Sequence, residues 1–532
     1  MRLMTLPSSL ATAWVVVEYV IKIVALGTIP ENRRPSSSTA WLILIFLLPV
    51  VGLPLYLLLG SPRVTGKRYR QQVEVNEMAL RYTAHLPDAP PGASESGHLE
   101  SILRMNRRLT GLPCLTGEVI ALHDDSAATY AAMARAIDEA TTSVNVECYI
   151  QSWDDVTDVF YSALERAAAR GVKVRLLLDH LGSRKYPGWR TLGKRLSAAG
   201  IEWWLMMPLL PFRLRWRRPD LRNHRKLLII DNERAFIGSH NIIDPTYLLR
   251  RNRWAGRVWK DLTVEVTGAI VAEAQAVFAM DWLFEADELL DVFALSPARK
   301  RKPGVSRPVH KRSTSTLAEA LPEAIPEVGQ GPVPTVGSAA PRPGRPGAVV
   351  NAMQLVPSGP GYPLEPNLRM FLSLIQGATR RVSITSPYFI PDEALLAAIT
   401  SAAYRGVQVE LFVGKESDQF IVNHAQRSYY PALLAAGVRI FRYPPPTVLH
   451  SKYMTVDGEV AVIGSSNMDF RSFTLNYEVM LLAFGGDLDD LLRANDEAYR
   501  AVSEELTAEQ WAAEPRYLRY IDNVCRLMSS VL

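Results

Sequence analysis

Residues 224–241 read HRKLLIIDNERAFIGSHN, and residues 450–467 read HSKYMTVDGEVAVIGSSN. Both follow the pattern H-x-K-x4-D-x6-G-S-x-N, at a constant offset of 226 residues. The repeat extends outward from these runs. VNVECY (144–149) is answered by VSITSPY (382–388), GVKV (171–174) by GVQV (406–409), and AAGI (198–201) by AAGV (435–438). A duplication of this length predicts two similar domains, not a solenoid of short repeats. Within the first copy, apolar β-prone runs at 144–150, 172–178, 227–230 and 235–237 alternate with helical patterns at 127–140 and 156–169. That alternation predicts an α/β domain, and it restarts after Asn351.

The chemistry is read from the same two runs. If His-x-Lys enters a strand, the period of two puts both side chains on one face. His224 with Lys226, and His450 with Lys452, would then set an imidazole beside a fixed cation. Such a pair suits an anionic phosphate: lysine neutralises the nonbridging oxygens, and histidine attacks phosphorus or moves protons. Ser239, Asn241, Ser465 and Asn467 offer further donors to the same anion. Asp231 and Asp457 complete the motif and join the candidate catalytic set. An aspartate before Asn232 or Gly458 at a strand end is also an ordinary turn residue.

The 532 residues allow two or three domains. Hydrophobic residues at 48% against 21% charged exclude a disordered, coiled-coil or collagen-like chain. The net charge is +5, but residues 296–350 alone hold nine Lys/Arg and three Asp/Glu. The basic excess is therefore local and does not argue for a nucleic-acid-binding core. The same segment holds ten of the 36 prolines and shows no hydrophobic periodicity, so it reads as a disordered insert. Cys114, Cys148 and Cys525 are too few and too scattered for a disulfide framework or a zinc site.

The N-terminus carries a membrane signal. Ala40 to Gly60 is uncharged over 21 residues, long enough to span, with Trp41 and Tyr56 near its ends. Pro49 and Pro54 are tolerated in such a helix. Leu10 to Ile29 holds Glu18 and Lys22, spaced to pair on one face. A spanning helix, an interfacial helix and a cleaved signal peptide are all open for it, the first making a hairpin with the second segment. Arg63, Lys67, Arg68 and Arg70 follow that segment and argue that the rest is cytoplasmic, against Arg33 and Arg34 in the short loop. In the first copy an additional stretch before the motif, WWLMMPLLPFRLRWRRPDLR (203–222), sets Arg213, Arg215, Arg217 and Arg218 among apolar residues. It reads either as a surface facing anionic lipid or as a packed loop.

The paired motifs resemble the two HKD motifs of the phospholipase D superfamily, and more closely its bacterial cardiolipin synthases. The resemblance also runs through ENRRP (31–35), Tyr149, DHLGS (179–183), RNHRK (222–226), PSGP (357–360), SPYFIPDE (386–393) and RLMSSVL (526–532). The Pro-rich insert is longer than the family pattern. The resemblance implies an α/β fold of two phospholipase D-like domains with pseudo-two-fold symmetry, after an N-terminal transmembrane hairpin. The divisions are a hairpin at 1–62, a connecting region at 63–115, domains at 116–295 and 351–532, and the insert at 296–350.

The resemblance further implies one active site built from both motifs. One histidine, expected to be His224, attacks the phosphodiester to form a phosphohistidine. The other protonates the departing alkoxide and later deprotonates the incoming alcohol. Asp261 in WKDLTVEV and Glu478 in LNYEVMLL match the family's acidic residues that orient the imidazoles. The implied reaction joins two phosphatidylglycerol molecules into cardiolipin and glycerol in the cell membrane, with cytoplasmic domains, no cofactor, no metal and no nucleic acid partner. The same motifs also fit a hydrolytic phospholipase D, an endonuclease, or an anchored lipid-binding protein with an inert site. Oligomeric state is not readable from the sequence.

Overall fold

The computed structural model describes residues 8–31, 35–60, 67–90, 97–210, 215–216, 218–290 and 349–527. The first half supplies β1 (Leu115–His123), β2 (Ser143–Cys148), β3 (Lys173–Asp179), β4 (Glu202–Met206), β5 (Lys226–Ile230), β6 (Arg234–Gly238) and β7 (Thr263–Thr267). The second supplies β8 (Val350–Ser358), β9 (Arg381–Thr385), β10 (Gln408–Gly414), β11 (Arg439–Tyr443), β12 (Tyr453–Val456), β13 (Val460–Gly464) and β14 (Asn476–Phe484), with β15 (Glu504–Leu506) at the edge. One sheet runs through both halves in the order β15-β11-β10-β9-β12-β13-β14-β8-β1-β7-β6-β5-β2-β3-β4. Read outward from its centre, each half repeats the other: β1 answers β8, and β7-β6-β5-β2-β3-β4 answers β14-β13-β12-β9-β10-β11. The two first strands, β1 and β8, pair antiparallel and join the halves, with Leu115 opposite Met353 and Glu118 opposite Val350.

Helices cover both faces of this sheet, which explains why its strands read as unbroken apolar runs. In LLII (227–230), Leu228 and Ile230 face the helices 126–138 and 158–169, while Leu227 and Ile229 face the helix Ile270–Ala286. The second of these layers continues under the other half, through Leu355, Tyr453, Ile463 and Leu481. Each motif hairpin turns on left-handed residues, Asp231 and Asn232 in one copy and Asp457 and Gly458 in the other. Each loop has three residues between its paired strand ends, and Asp, Asn and Gly adopt the left-handed conformation at low cost.

The N-terminal segments form helices: α1 (Ser8–Thr28), α2 (Pro35–Leu47) and α3 (Pro49–Leu55), followed by a π-helical turn at Tyr56–Gly60. The expected unbroken helix over 40–60 is instead interrupted at Leu48, whose φ of −135° is not helical. Pro49 causes the break: it donates no hydrogen bond and disfavours helical backbone in the residue before it. Among the described residues no helix is long and apolar enough to cross a membrane. Glu18 and Lys22 do pair one turn apart. Ala25, Ile29 and Ile45 pack together between α1 and α2, while Ile23, Leu47, Val50 and Leu57 stay exposed. The insert expected at 296–350 lies almost entirely outside the described residues, as do Arg33, Arg34, Arg63, Arg213 and Arg217. Arg218 pairs with Asp220 at 2.6 Å.

Arg68 corrects its sequence reading as a flanking charge at the cytoplasmic surface. It lies on the helix Lys67–Tyr82 and is buried against the helix Ile270–Ala286. Its guanidinium bonds Asp281 and Glu285, each at 2.7 Å, and stacks 4.5 Å over Tyr477. Asp281 in turn holds the wholly buried Arg225 of the first motif. Two buried carboxylates thus share two buried cations, an arrangement in which loss of one partner leaves an uncompensated charge. Arg68→Ala is expected to lower stability by about 3–5 kcal/mol, read as a depressed thermal unfolding midpoint in detergent. Arg70→Ala, on the same helix with an exposed side chain, should leave the midpoint unchanged.

Candidate active site

Each motif histidine is delivered by a short strand that leaves its own half. Arg222–Asn223 lies parallel on the start of β14, and the His224 N–H donates to Tyr477 O at 2.8 Å. Thr447–Leu449 lies parallel on Val258–Lys260, and the His450 N–H donates to Lys260 O at 2.8 Å. The next residue on the receiving strand is the acid, Glu478 in one case and Asp261 in the other. The pairing is therefore crossed. His224 Nδ1 lies 2.9 Å from Glu478, and His450 Nδ1 lies 2.5 Å from Asp261. Each acid downstream of one motif orients the histidine of the other.

DHLGS explains how the first strand is held. Asp179, at the end of β3, accepts from Gly182 N, Asn223 N and the Arg222 guanidinium. Asn223 also donates to Glu147 at 2.7 Å. With Nδ1–H given to a carboxylate, Nε2 of each imidazole carries the lone pair. Tyr149 packs edge-on to His224, ring centres 4.9 Å apart, and Tyr247 and Tyr388 each flank His450 at 6.5 Å.

The serines serve the acids. Ser239 Oγ donates to Asp261 at 2.7 Å, and Ser465 Oγ donates to Glu478 at 2.5 Å. The glycine before each serine permits this approach. A Cβ at Gly238 would lie 2.3 Å from Leu262 O, and one at Gly464 would lie 2.2 Å from Val479 O. Of the expected anion donors, the serines are thus orienting groups. The asparagines differ. Asn241 is engaged at both ends, by Ile150 N and Tyr247 OH. Asn467 is buried with no partner for its Oδ1 among the described residues.

Asp231 and Asp457 stand apart from this group. They end β5 and β12, whereas Lys226 begins β5 and Lys452 precedes β12, roughly 15 Å away at 3.3 Å per residue. Asp231 accepts from the backbone and hydroxyl groups of Thr141 and Thr142 and from Ser143 N. Asp457 accepts from Thr379, Arg380 and Arg381 backbone N–H groups. Both carboxyls lie below their usual range because these donors outweigh burial. Their place in the motif is to pin the neighbouring strand, a correction to their inclusion with the catalytic residues. A cavity of about 560 Å³ lies at that end too, lined by His98, Leu374 and Gly458, and it contains none of the histidine group.

Electrostatically the centre is short of negative charge. Burial, then Lys226, Lys452 and His450, push the His224 pKa far down. Burial also lowers His450, opposed by Asp261. Burial brings Lys226 down to about 8 and Lys452 to about 7. The acids diverge. Burial raises Glu478 to about 7, while His450 and the other cations outweigh burial and hold Asp261 below the usual range. Four basic groups around two carboxylates form a site that an entering monoanion would complete. Among the described residues no group of three His, Cys, Asp or Glu is placed to hold a metal ion.

Two features escaped sequence reading. Arg225, between His224 and Lys226, points to the opposite side of the strand and donates to Glu478 O at 3.1 Å. The alternation of strand side chains was the available signal. The crossed histidine–acid pairing had no local signal.

A family profile described as "Cardiolipin synthase, PLD-like domain" matches residues 133–282 and 371–495. One described as "Phospholipase_D-nuclease N-terminal" matches residues 10–61. The cardiolipin synthase of Geobacillus kaustophilus is 32% identical over 96% of this chain and 91% of its own. Cardiolipin synthase A of Proteus mirabilis is 29% identical over 94% of both chains. The crystal structure of phosphatidylserine synthase from Haemophilus influenzae covers 81% of this chain and 99% of its own, with a TM-score of 0.53 and 15% identity, a likeness of fold.

The unequal acids lead to a pH prediction. As pH falls below about 7, Glu478 takes up a proton and His224 loses its charged acceptor. Turnover is expected to fall on that acid limb. Glu478→Gln should lower turnover and flatten the limb, whereas Asp261→Asn should lower turnover and leave the limb in place. A pH profile of kcat for the three proteins checks this.

Proposed function

Because this chain belongs to the cardiolipin synthase family of the phospholipase D superfamily, we propose that its crossed histidines perform phosphatidyl transfer through a phosphohistidine. The enzyme is a phosphatidyltransferase that makes cardiolipin, and its substrate is phosphatidylglycerol. The observation that carries the mechanism is the pair of Nδ1-anchored imidazoles, each with a lysine on the same edge.

In the first step Nε2 of His224 attacks phosphorus of one phosphatidylglycerol. A P–N bond forms, the P–O bond to the headgroup glycerol breaks, and His450 delivers a proton to that oxygen. In the second step the glycerol hydroxyl of another phosphatidylglycerol attacks. His450 takes its proton, the P–N bond breaks, and cardiolipin is released. One phosphodiester replaces another, so no nucleotide is consumed. Lys226 and Lys452 neutralise the nonbridging oxygens. The division of roles follows the acids. Asp261, firmly ionised, favours an imidazolium at His450, and Glu478, poised near neutrality, leaves His224 neutral and nucleophilic.

The two domains are taken as residues 116–295 and 351–532. The N-terminal helices are taken as a membrane hairpin that holds the domains at the cytoplasmic surface. Their exposed apolar side chains and the profile match over 10–61 support that placement.

Purified protein incubated with phosphatidylglycerol in mixed micelles, without nucleotide or added metal, is expected to yield cardiolipin and equimolar glycerol. His224→Ala should abolish both products. Phosphatidic acid in place of cardiolipin would make water the acceptor and overturn the transfer.

A further inference from the structure

We propose that the short helix Arg250–Trp254 is a docking element that seats the active-site mouth on an anionic bilayer surface. The inference deepens the phosphatidyl-transfer reading and rests on it for the anionic lipid.

The segment is rooted in the site. Tyr247 flanks His450 and accepts a hydrogen bond from Asn241 at 2.7 Å. Tyr247 and Leu248 both hold left-handed backbone, φ 55° and 56°, which bulky side chains rarely adopt. This elbow sends the chain outward into the sequence RRNRW. Asn252 faces in and donates to Thr246 O at 3.0 Å. Arg250, Arg251 and Arg253 face out, and none has a carboxylate partner among the described residues. Trp254 is 87% exposed, the most exposed large apolar side chain among the described residues.

The second half completes the surface. Arg257 reaches Glu416 at 3.5 Å and ties the segment to the loop before Phe420. Phe420 is 65% exposed and Ile421 is also open to solvent. Asp418, in the same loop, accepts from Tyr388 OH at 2.8 Å, and Tyr388 is the other ring flanking His450. Lys185 stands within electrostatic reach of both Arg251 and Asp418. The rim therefore presents arginines without carboxylate partners, with exposed Trp and Phe, on segments tied to the two rings that flank His450.

A scattered exposed apolar residue needs no explanation, and surface arginines are common. Here they are contiguous, continuous with a site for lipid phosphodiesters, and opposite in charge to the substrate. Arginines attract acidic headgroups within a Debye length, and tryptophan settles at the headgroup level. The occupant that fits is an anionic membrane surface.

The test uses the full chain with Trp254→Cys carrying an environment-sensitive fluorophore, the native cysteines being buried. His450→Ala is added so that lipid is not consumed. The protein is reconstituted in phosphatidylcholine with or without phosphatidylglycerol. The expected result is a blue shift and brighter emission only with phosphatidylglycerol, reversed by high salt. It should disappear when Arg250, Arg251 and Arg253 are replaced by Ala. Equal emission in both membranes, or a response that survives those replacements, would overturn the proposal. In the otherwise wild-type enzyme, the three replacements should cut cardiolipin formation on bilayers about tenfold or more. They should leave turnover of a soluble short-chain phosphatidylglycerol unchanged. Equal losses on both substrates would also overturn it. A lipid-dependent emission change in the labelled protein, with no cardiolipin formed by the otherwise wild-type enzyme, would sustain the docking surface and reject the transfer reading.

Discussion

The crossed hydrogen bonds, His224 to Glu478 and His450 to Asp261, are the constraint on which the site depends. Each joins a histidine of one half to an acid of the other, so neither half alone contains an oriented imidazole. The backbone enforces the exchange. The strands Arg222–Asn223 and Thr447–Leu449 pair with the opposite half immediately before each histidine. Antiparallel pairing of β1 and β8 fixes the halves relative to each other. The motif serine and glycine then have a common purpose. The glycine admits the chain, and the serine hydroxyl fixes the carboxylate that fixes the ring.

The same closeness sets the charge state. Burial lowers the proton affinity of two lysines and two histidines that face only two carboxylates, and repulsion adds to it at His224, His450 and Lys452. A phosphodiester brings the missing negative charge, so binding and proton readiness are coupled through electrostatics. Near-symmetry of backbone coexists with asymmetry of chemistry. Aspartate and glutamate, in equivalent places, part company: the surrounding cations hold Asp261 below its usual range, while burial raises Glu478 to about 7.

The connecting region belongs to this arrangement. Arg68 stacks on Tyr477, the residue before Glu478, and shares Asp281 with Arg225, the residue after His224. A helix that follows the apolar N-terminal segments is thereby packed against the back of the site. On the mouth side, the elbow at Tyr247 links the ring beside His450 to the exposed arginines. The site is braced from both directions by residues outside the motifs.

Much of this was legible from local sequence. The duplication, the strand–helix alternation and the placement of His and Lys on one strand edge follow from short-range periodicity, which neighbouring residues determine. The acids Asp261 and Glu478 were found by resemblance, but their partners lie 189 and 254 residues away. No local pattern encodes a pairing between halves, because it exists only once they have docked. For the same reason Arg68 reads as a flanking charge, and Asp231 reads as either a catalytic or a turn residue. Burial and long-range hydrogen bonds alone reassign them. Two copies of a phosphate-directed strand motif in an α/β frame follow from the order of residues alone. Which groups meet is set only when the halves dock, because the acid that completes each histidine pair comes from the other half.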